Sequence, residues 1–134
     1  MKRINHKILE IKIKESLLEN GANKFSAESV SKGLVETSLR GVDSHGIRLL
    51  PHYINALKNG RINGNPKLEV INTFPAFIGL DADNGFGHAA GFKSIEIGMD
   101  LAKKYGIAAI SVFNSSHPGA MASFSLKAAR NGFC

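Results

Sequence analysis

The spacing of apolar residues predicts helices throughout the first half of the chain. Apolar positions recur every three or four residues in three segments, a period typical of amphipathic helices. The predicted helices cover residues 7–20, 26–39 and 44–59. A glycine follows or closes each of them, and Ser26 and Ser44 stand where N-cap residues are expected. Pro51 lies inside the third helix, early enough for that helix to continue with a bend.

Strand patterns and helix patterns alternate in the second half. Two short strands that can pair are predicted, followed by a long helix, a third strand and a last helix. In chain order these elements cover residues 68–72, 76–80, 88–105, 107–113 and 120–130. The third strand is almost entirely apolar, which is typical of a strand buried on both faces. The pattern therefore predicts an α/β fold, with a helical segment over residues 1–66 and the first part of an α/β domain over residues 67–134.

The end of the chain does not match the needs of such a sheet. Gly132 and Phe133 stand where another buried strand would begin, and a buried parallel strand needs neighbours on both sides. We therefore expect the chain to be truncated.

Composition and charge narrow the class of partner. The 134 residues carry a net charge of +6, but the basic residues are scattered and are not interleaved with aromatic residues, which argues against nucleic acid. A mild basic bias also suits a small anionic substrate or a phosphate-bearing cofactor. No apolar run is long enough to cross a membrane, no signal-peptide pattern opens the chain, and Cys134 is the only cysteine. A cytoplasmic protein without membrane partners is expected.

A glycine-rich turn precedes the long helix and allows two interpretations. The segment from Gly85 to Ala90 fits G-x-G-x-x-A, and it follows a strand and opens a helix, as a dinucleotide-binding fingerprint should. However, Asn114 stands at the end of the next strand, where a Rossmann unit for NAD would have an acidic residue. A simple glycine turn at a helix entry is therefore favoured.

The segment from Arg40 to Tyr53 contains the first candidate chemistry. Ser44 can cap the predicted helix, and His45 and Arg48 are three residues apart, so that both can project from one face of its first turn. The Arg48 guanidinium suits a carboxylate, and a neighbouring imidazole could move a proton. Equally, these residues could form a solvated helix start in which Arg48 pairs with Asp43.

A second candidate follows the third strand. His117 lies in the loop 114–119, and ligands of open α/β sheets gather at the carboxyl ends of strands. The alternative is a histidine that caps backbone groups. His52 and His88 are interpreted as structural or surface residues. No spacing of histidine, cysteine or acidic residues indicates a metal site, and no serine lies in a G-x-S-x-G motif.

Three stretches together resemble a known family. They read RGVDSHGIRLLPHYINALKNGRIN, DADNGFGHAAG and GIAAISVFNSSHPGA, and they resemble the malate/L-lactate dehydrogenase family of NAD(P)-dependent oxidoreductases, which also includes ureidoglycolate and sulfolactate dehydrogenases. The resemblance covers the chain from about Ala27 to Gly132. It implies a non-Rossmann, mixed or parallel nicotinamide-binding sheet, NAD or NADP as cofactor, and a homodimer. It leaves the cofactor-binding residues of this chain unknown, and much of the nicotinamide site is expected to lie in the missing part.

The resemblance also implies roles for the candidate residues. Ser44 and His45 match the Ser-His pair near the substrate, Arg48 matches the carboxylate-binding arginine, and His117 matches the histidine with a proton-transfer role in ureidoglycolate-type members. The expected reaction is hydride transfer between NAD(P) and a small 2-hydroxyacid or 2-oxoacid. Which histidine moves the proton is left open. Pro118 departs from the family, which usually has an aromatic residue there.

The expected length of family members leaves an alternative. They are well over twice as long as this chain, so the chain by itself is expected to be poorly stable and to have little activity. The alternative function is that of a non-catalytic remnant, acting at most as a helical dimerisation module.

Overall fold

The computed structural model describes residues 3–134, as five α-helices and one three-stranded sheet. The helices are α1 (His6–Glu19), α2 (Lys24–Leu39), α3 (Leu50–Lys58), α4 (Gly87–Tyr105) and α5 (Ala122–Arg130). The strands are β1 (Glu69–Phe74), β2 (Phe77–Asp81) and β3 (Ala109–Phe113). The predicted order of helices and strands is thereby confirmed. Within residues 3–134, no helix is both long and apolar enough to cross a membrane.

The first three helices pack around an apolar core. Ile13 and Leu17 of α1 are buried with Val30 and Leu34 of α2, at 0–2% exposure. The core extends to Phe86 at the entry to α4. The helical segment and the start of the α/β segment thus share buried surface, while the division at residues 66 and 67 stays a prediction.

The start of α2 differs from the prediction. The helix begins earlier than expected, because the side-chain oxygen of Asn23 accepts a hydrogen bond from the backbone N–H of Ser26 at 2.8 Å. Asn23 is therefore the N-cap, and Ser26 is a buried residue of the first turn. An asparagine satisfies the free N–H groups of a helix start as well as a serine does, so the sequence pattern did not separate the two.

The predicted helix over residues 44–59 is only partly correct. Two short 3₁₀ turns, Asp43–His45 and Ile47–Leu49, precede α3, which begins at Leu50. Ser44 lies inside the first turn and makes no cap, and Pro51 stands in the first turn of α3, where a missing N–H costs nothing. Gly46 separates the two turns. A glycine suits this position because a Cβ there would lie 3.2 Å from the backbone nitrogen of Ser38.

The sheet has the order β1-β2-β3, with an antiparallel pair followed by a parallel pair. In the parallel pair, Ile78 lies opposite Ile110, and Asp81 lies opposite Phe113. The helix α4 connects the two parallel strands. This arrangement confirms an α/β fold with a mixed sheet.

The burial predicted for β3 is wrong for the described residues. Only Ile110 is partly buried, and Val112 and Phe113 are each 38% exposed. The reason is position: β3 pairs with β2 on one side, and residues 3–134 place no strand on its other side. The apolar composition that predicted two covered faces is therefore left open to solvent in this chain.

Candidate active site

The loop 114–119 is fixed to the carboxyl ends of the two parallel strands. The side-chain amide of Asn114 donates to both carboxylate oxygens of Asp81, at 3.2 Å each. The backbone N–H of Asn84 donates to the carbonyl oxygen of Asn114 at 2.8 Å. Asn114 has a φ of +50°, a left-handed conformation that asparagine tolerates better than most residues. The residue thus turns the chain out of β3 and into the loop.

The glycines of the turn before α4 serve the same loop. The backbone N–H of Ser116 donates to the carbonyl of Gly85 at 3.2 Å, and the N–H of Gly87 donates to the Ser116 hydroxyl at 3.3 Å. A Cβ on Gly87 would come within 2.6 Å of the Pro118 backbone. Gly87 is therefore needed for packing against this loop, whereas a Cβ on Gly85 would meet Pro66 and the carbonyl of Ala82.

This loop places His117 on Tyr53 of α3. The Tyr53 hydroxyl and Nδ1 of His117 are 2.9 Å apart, and the two rings stack at a centroid distance of 6.4 Å. The backbone N–H of Gly119 also donates to the same Nδ1, at 3.4 Å. A contact between residues 64 positions apart thereby joins the helical segment to the α/β segment.

His45 also lies next to His117. The two imidazole centroids are 5.6 Å apart, with an interplanar angle of 32°. Nδ1 of His45 lies 2.9 Å from the Ser44 hydroxyl. Each of the two rings therefore has a hydroxyl group on Nδ1, which leaves its Nε2 as the nitrogen available to a ligand.

Arg48 is exposed on the second 3₁₀ turn, three residues beyond His45. Within residues 3–134 its guanidinium forms no ion pair, so the predicted alternative of an Asp43–Arg48 pair is not realised. The structure thus brings Ser44, His45 and His117 together and leaves the arginine available for an anion.

Charge and burial both disfavour the protonated form of His117. The pKa of His117 lies below its usual value, first because burial penalises the charged ring and then because His45 and His52 repel a further positive charge. Burial raises the pKa of Tyr53 to about 12, so its hydroxyl keeps its proton throughout the physiological range. A phenol that stays protonated can donate to a histidine nitrogen.

The remaining histidines have the structural and surface positions that the sequence indicated. His88, in the first turn of α4, is 1% exposed, and burial lowers its pKa to about 4. His52 is exposed, and its Nε2 lies 2.9 Å from a guanidinium nitrogen of Arg61. Residues 3–134 contain no group of three or more histidine, cysteine or acidic side chains with the geometry of a metal site.

Sequence reasoning missed Tyr53. It lies on the apolar face of α3, three positions from both Leu50 and Ala56, and the sequence alone gave it no role. A signal was available, because a tyrosine on a buried face must find a partner for its hydroxyl. The partner is 64 residues away, and only the fold identifies it.

A cleft opens next to the loop, between α4, β3 and α5. Its volume is about 350 Å³. Gly91, Ser115, Ser116, Pro118 and Met121 contribute to its lining, which contains no charged side chain. Such a cleft suits the uncharged part of a ligand and offers no ion pair to a phosphate.

Comparison with known proteins places the chain in a family. The sequence profile for malate/L-lactate dehydrogenase matches residues 4–134. The chain belongs to this family. The malate dehydrogenase of Pyrococcus abyssi is 34% identical to it over 116 residues, which are 87% of this chain and 32% of that protein. The ureidoglycolate dehydrogenase (NAD(+)) of Escherichia coli is 30% identical over 131 residues, which are 98% of this chain and 38% of that protein.

Solved structures of malate/L-lactate dehydrogenase family members show the same fold. The malate dehydrogenase of Entamoeba histolytica superposes with a TM-score of 0.94 at 34% identity, over 98% of this chain and 37% of that one. The chain thus spans a little more than a third of the length of the relatives that it matches. The fold of the family's amino-terminal part is present, together with the three stretches that carried the resemblance.

Proposed function

We propose that the protein supplies the substrate side of an oxidoreductase that transfers a hydride between NAD or NADP and a small 2-hydroxyacid or 2-oxoacid. The observation that carries this proposal is the pair of imidazoles, His45 and His117, 5.6 Å apart at the carboxyl ends of the parallel strands. Membership of a dehydrogenase family supports the reaction type. Malate, lactate, ureidoglycolate and sulfolactate are the substrates to compare.

Arg48 supplies the carboxylate site in this proposal. A guanidinium presents parallel N–H groups that match the two oxygens of a carboxylate. Arg48 is exposed and forms no ion pair among residues 3–134, so its charge is available. Arg48 lies on the 3₁₀ turn that follows the turn of His45, and in this proposal a carboxylate bound by Arg48 holds the neighbouring hydroxyl or carbonyl carbon close to the imidazoles.

Either imidazole could handle the proton of that oxygen. Oxidation of a 2-hydroxyacid removes one proton from the hydroxyl and one hydride from the carbon, and an imidazole near neutrality can accept the proton. The nicotinamide, when bound, accepts or supplies the hydride. The uncharged cleft next to Ser115 and Ser116 fits the nicotinamide ring, whereas it offers no charged group to the pyrophosphate.

The test is a turnover assay of the encoded protein. The DNA downstream of codon 134 is sequenced, and the longest continuous product is assayed for nicotinamide reduction with the four candidate acids. Turnover with at least one of them that depends on NAD or NADP supports the proposal. A folded product that binds neither cofactor nor acid would contradict it.

One observation favours the alternative of a helical dimerisation module. The solvent face of α1 carries Ile8 and Ile11, both 51% exposed, and Leu18, 40% exposed. A face of this kind can pair with a second copy, which is also the arrangement expected of a homodimer. Sedimentation of the wild-type chain and of an Ile8→Lys, Ile11→Lys double variant tests it. A chain that is monomeric in both forms would contradict pairing through α1.

A further inference from the structure

We infer that Tyr53 is a positioning residue which, together with the backbone N–H of Gly119, keeps the single proton of neutral His117 on Nε2. The catalytic consequence of this inference rests on the proposed function, whereas the inference about the proton itself does not. It concerns which nitrogen of one ring carries hydrogen, and it follows from the groups around that ring.

The contact whose direction is fixed comes from the backbone. The N–H of Gly119 points to Nδ1 of His117 at 3.4 Å. A backbone N–H can only donate, so the nitrogen that it faces must provide a lone pair. In a neutral imidazole only one nitrogen has a lone pair available in the ring plane, and the other carries the proton. An acceptor at Nδ1 therefore places the proton on Nε2.

Tyr53 acts in the same direction and is well placed to do so. Its side chain is 0% exposed, and it is held by edge contacts with Phe86 and His88 at centroid distances of 5.8 Å and 5.4 Å. Its hydroxyl lies 2.9 Å from Nδ1 of His117. A buried hydroxyl that is left without a partner destabilises the folded protein. Donation to the lone pair on Nδ1 satisfies both groups at once.

His45 lacks such a constraint. Its Nδ1 faces the Ser44 hydroxyl at 2.9 Å, and a hydroxyl can donate or accept by rotating its hydrogen. His45 can therefore keep its proton on Nδ1 and present an unprotonated Nε2. His117 cannot do this without breaking the contact with Gly119.

The two rings then have different tasks. In the proposed oxidation, Nε2 of His45 would accept the substrate hydroxyl proton, and a bound nicotinamide would supply the hydride acceptor that is needed for the carbonyl to form. His117 donates a hydrogen bond from Nε2–H to the same oxygen and keeps its own proton. Reduction runs the same steps in reverse. Neither ring changes its Nδ1 partner during these steps. Only the Ser44 hydroxyl can reverse the direction of its hydrogen bond with His45.

The position of the proton can be measured directly on the chain. Nitrogen-15 labelling of histidine and long-range proton–nitrogen correlation spectra distinguish a protonated from an unprotonated Nδ1. The His117 signal is assigned by its loss in a His117→Asn variant. We expect wild-type His117 at neutral pH to show an unprotonated Nδ1 and a protonated Nε2. A protonated Nδ1 in the wild-type chain would overturn the inference, and this measurement needs no Tyr53 variant.

A matched pair of variants tests the contribution of Tyr53. Tyr53→Phe removes only the hydroxyl, and we expect the Nδ1 signal of His117 to move toward the protonated position as the second tautomer becomes populated. Tyr105→Phe makes the same chemical change at the exposed end of α4 and should leave the signal unchanged. If Tyr53→Phe also leaves it unchanged, Tyr53 does not set the tautomer. These outcomes do not depend on turnover, so the proposed function can fail without affecting them.

Discussion

The imidazole of His88 occupies the space that a methyl group on Gly33 would fill. A Cβ built on Gly33 would lie 3.1 Å from Nε2 of that ring, and a Cβ on Gly119 would lie 2.5 Å from the same atom. The ring thus brings α2, the start of α4 and the loop of His117 into one contact. Two of these elements can approach the ring only because they have a glycine at that point.

Gly33→Ala should therefore destabilise the protein, although alanine is the better helix former. The gain in helix propensity is about 1 kcal/mol, whereas overpacking a buried contact costs about 1–3 kcal/mol. We expect a net loss of about 1 kcal/mol in the free energy of unfolding, the middle of the range that these figures allow, measured by urea denaturation. Gly98→Ala in α4 is the control, because its Cβ would meet only the end of the Ile110 side chain, at 3.3 Å. Equal behaviour of the two variants would contradict the packing argument.

The burial of His88 predicts a loss of stability in acid. Burial lowers its pKa in the folded state to about 4, whereas the ordinary value in an unfolded chain is 6.5. Between these values the unfolded chain binds more protons, so stability falls as the pH drops from 6.5 toward 4. The loss attributable to this ring is of the order of 3 kcal/mol. Thermal unfolding across this pH range measures it.

His88→Gln separates this effect from the titration of carboxylates. The variant cannot gain a charge at position 88, so its stability should depend less steeply on pH between 6.5 and 4 than that of the wild type. Equal slopes would show that the ring is protonated in the folded state without penalty. The variant's lower absolute stability at neutral pH does not enter the comparison.

Arg48→Ala should weaken binding of the acid substrate. A charge-assisted hydrogen bond contributes about 1.5–3 kcal/mol, which corresponds to a rise in KM of about 10- to 100-fold. The KM of Arg48→Lys should lie between those of the wild type and Arg48→Ala, because an ammonium keeps the charge but lacks the planar pair of donors. Arg3→Ala, at an exposed position ahead of α1, is the control. Unchanged kinetics for Arg48→Ala would remove this residue from the site.

His45→Gln should lower kcat strongly and change KM much less. Loss of a general acid–base group reduces the rate by about 10²- to 10⁴-fold, whereas the glutamine side chain can still occupy the space of the ring. His117→Gln retains an amide N–H that can donate to the substrate oxygen, so we expect a smaller loss of rate. The reverse order would assign proton transfer to His117.

The open edge of the sheet should promote self-association. Ile107, just before β3, is 69% exposed, and β3 has no strand on its outer side within residues 3–134. Exposed edges of this kind pair with other chains. We expect Ile107→Lys to reduce light scattering of concentrated protein, whereas Leu39→Lys, at a residue that is 63% exposed at the end of α2, should not. A similar decrease for both variants would indicate general hydrophobic contact instead of association at the sheet edge.

Much of the fold follows from local patterns. The period of the apolar residues located all five helices and all three strands, because burial of one face leaves the same signature in most folds. The predictions were wrong where several residue types can make the same local interaction. Asn23 and Ser26 can both cap a helix, and only the backbone geometry shows that Asn23 does. The turns around Gly46 follow a contact with Ser38 in another element, which no local pattern contains.

The candidate site was predicted in its members but not in its arrangement. His45 and His117 were both identified, but their proximity depends on a loop that Asp81 and Asn114 hold in place. Tyr53 was missed, since its role exists only once His117 has reached it. Burial of β3 was overestimated because an apolar pattern shows only which side chains would be stabilised by burial. It does not show whether residues 3–134 contain a neighbouring strand that buries them.

The hydrogen bond between Tyr53 and His117 links two parts of the chain that are far apart in sequence, so we expect the site to open independently of the helical core. A local opening that lifts the loop from α3 would separate the two rings while leaving the apolar cores of the helices intact. Amide exchange at the loop residues would then report the fraction of molecules in which the site is assembled. That fraction would also scale the apparent affinity for any ligand that needs both histidines.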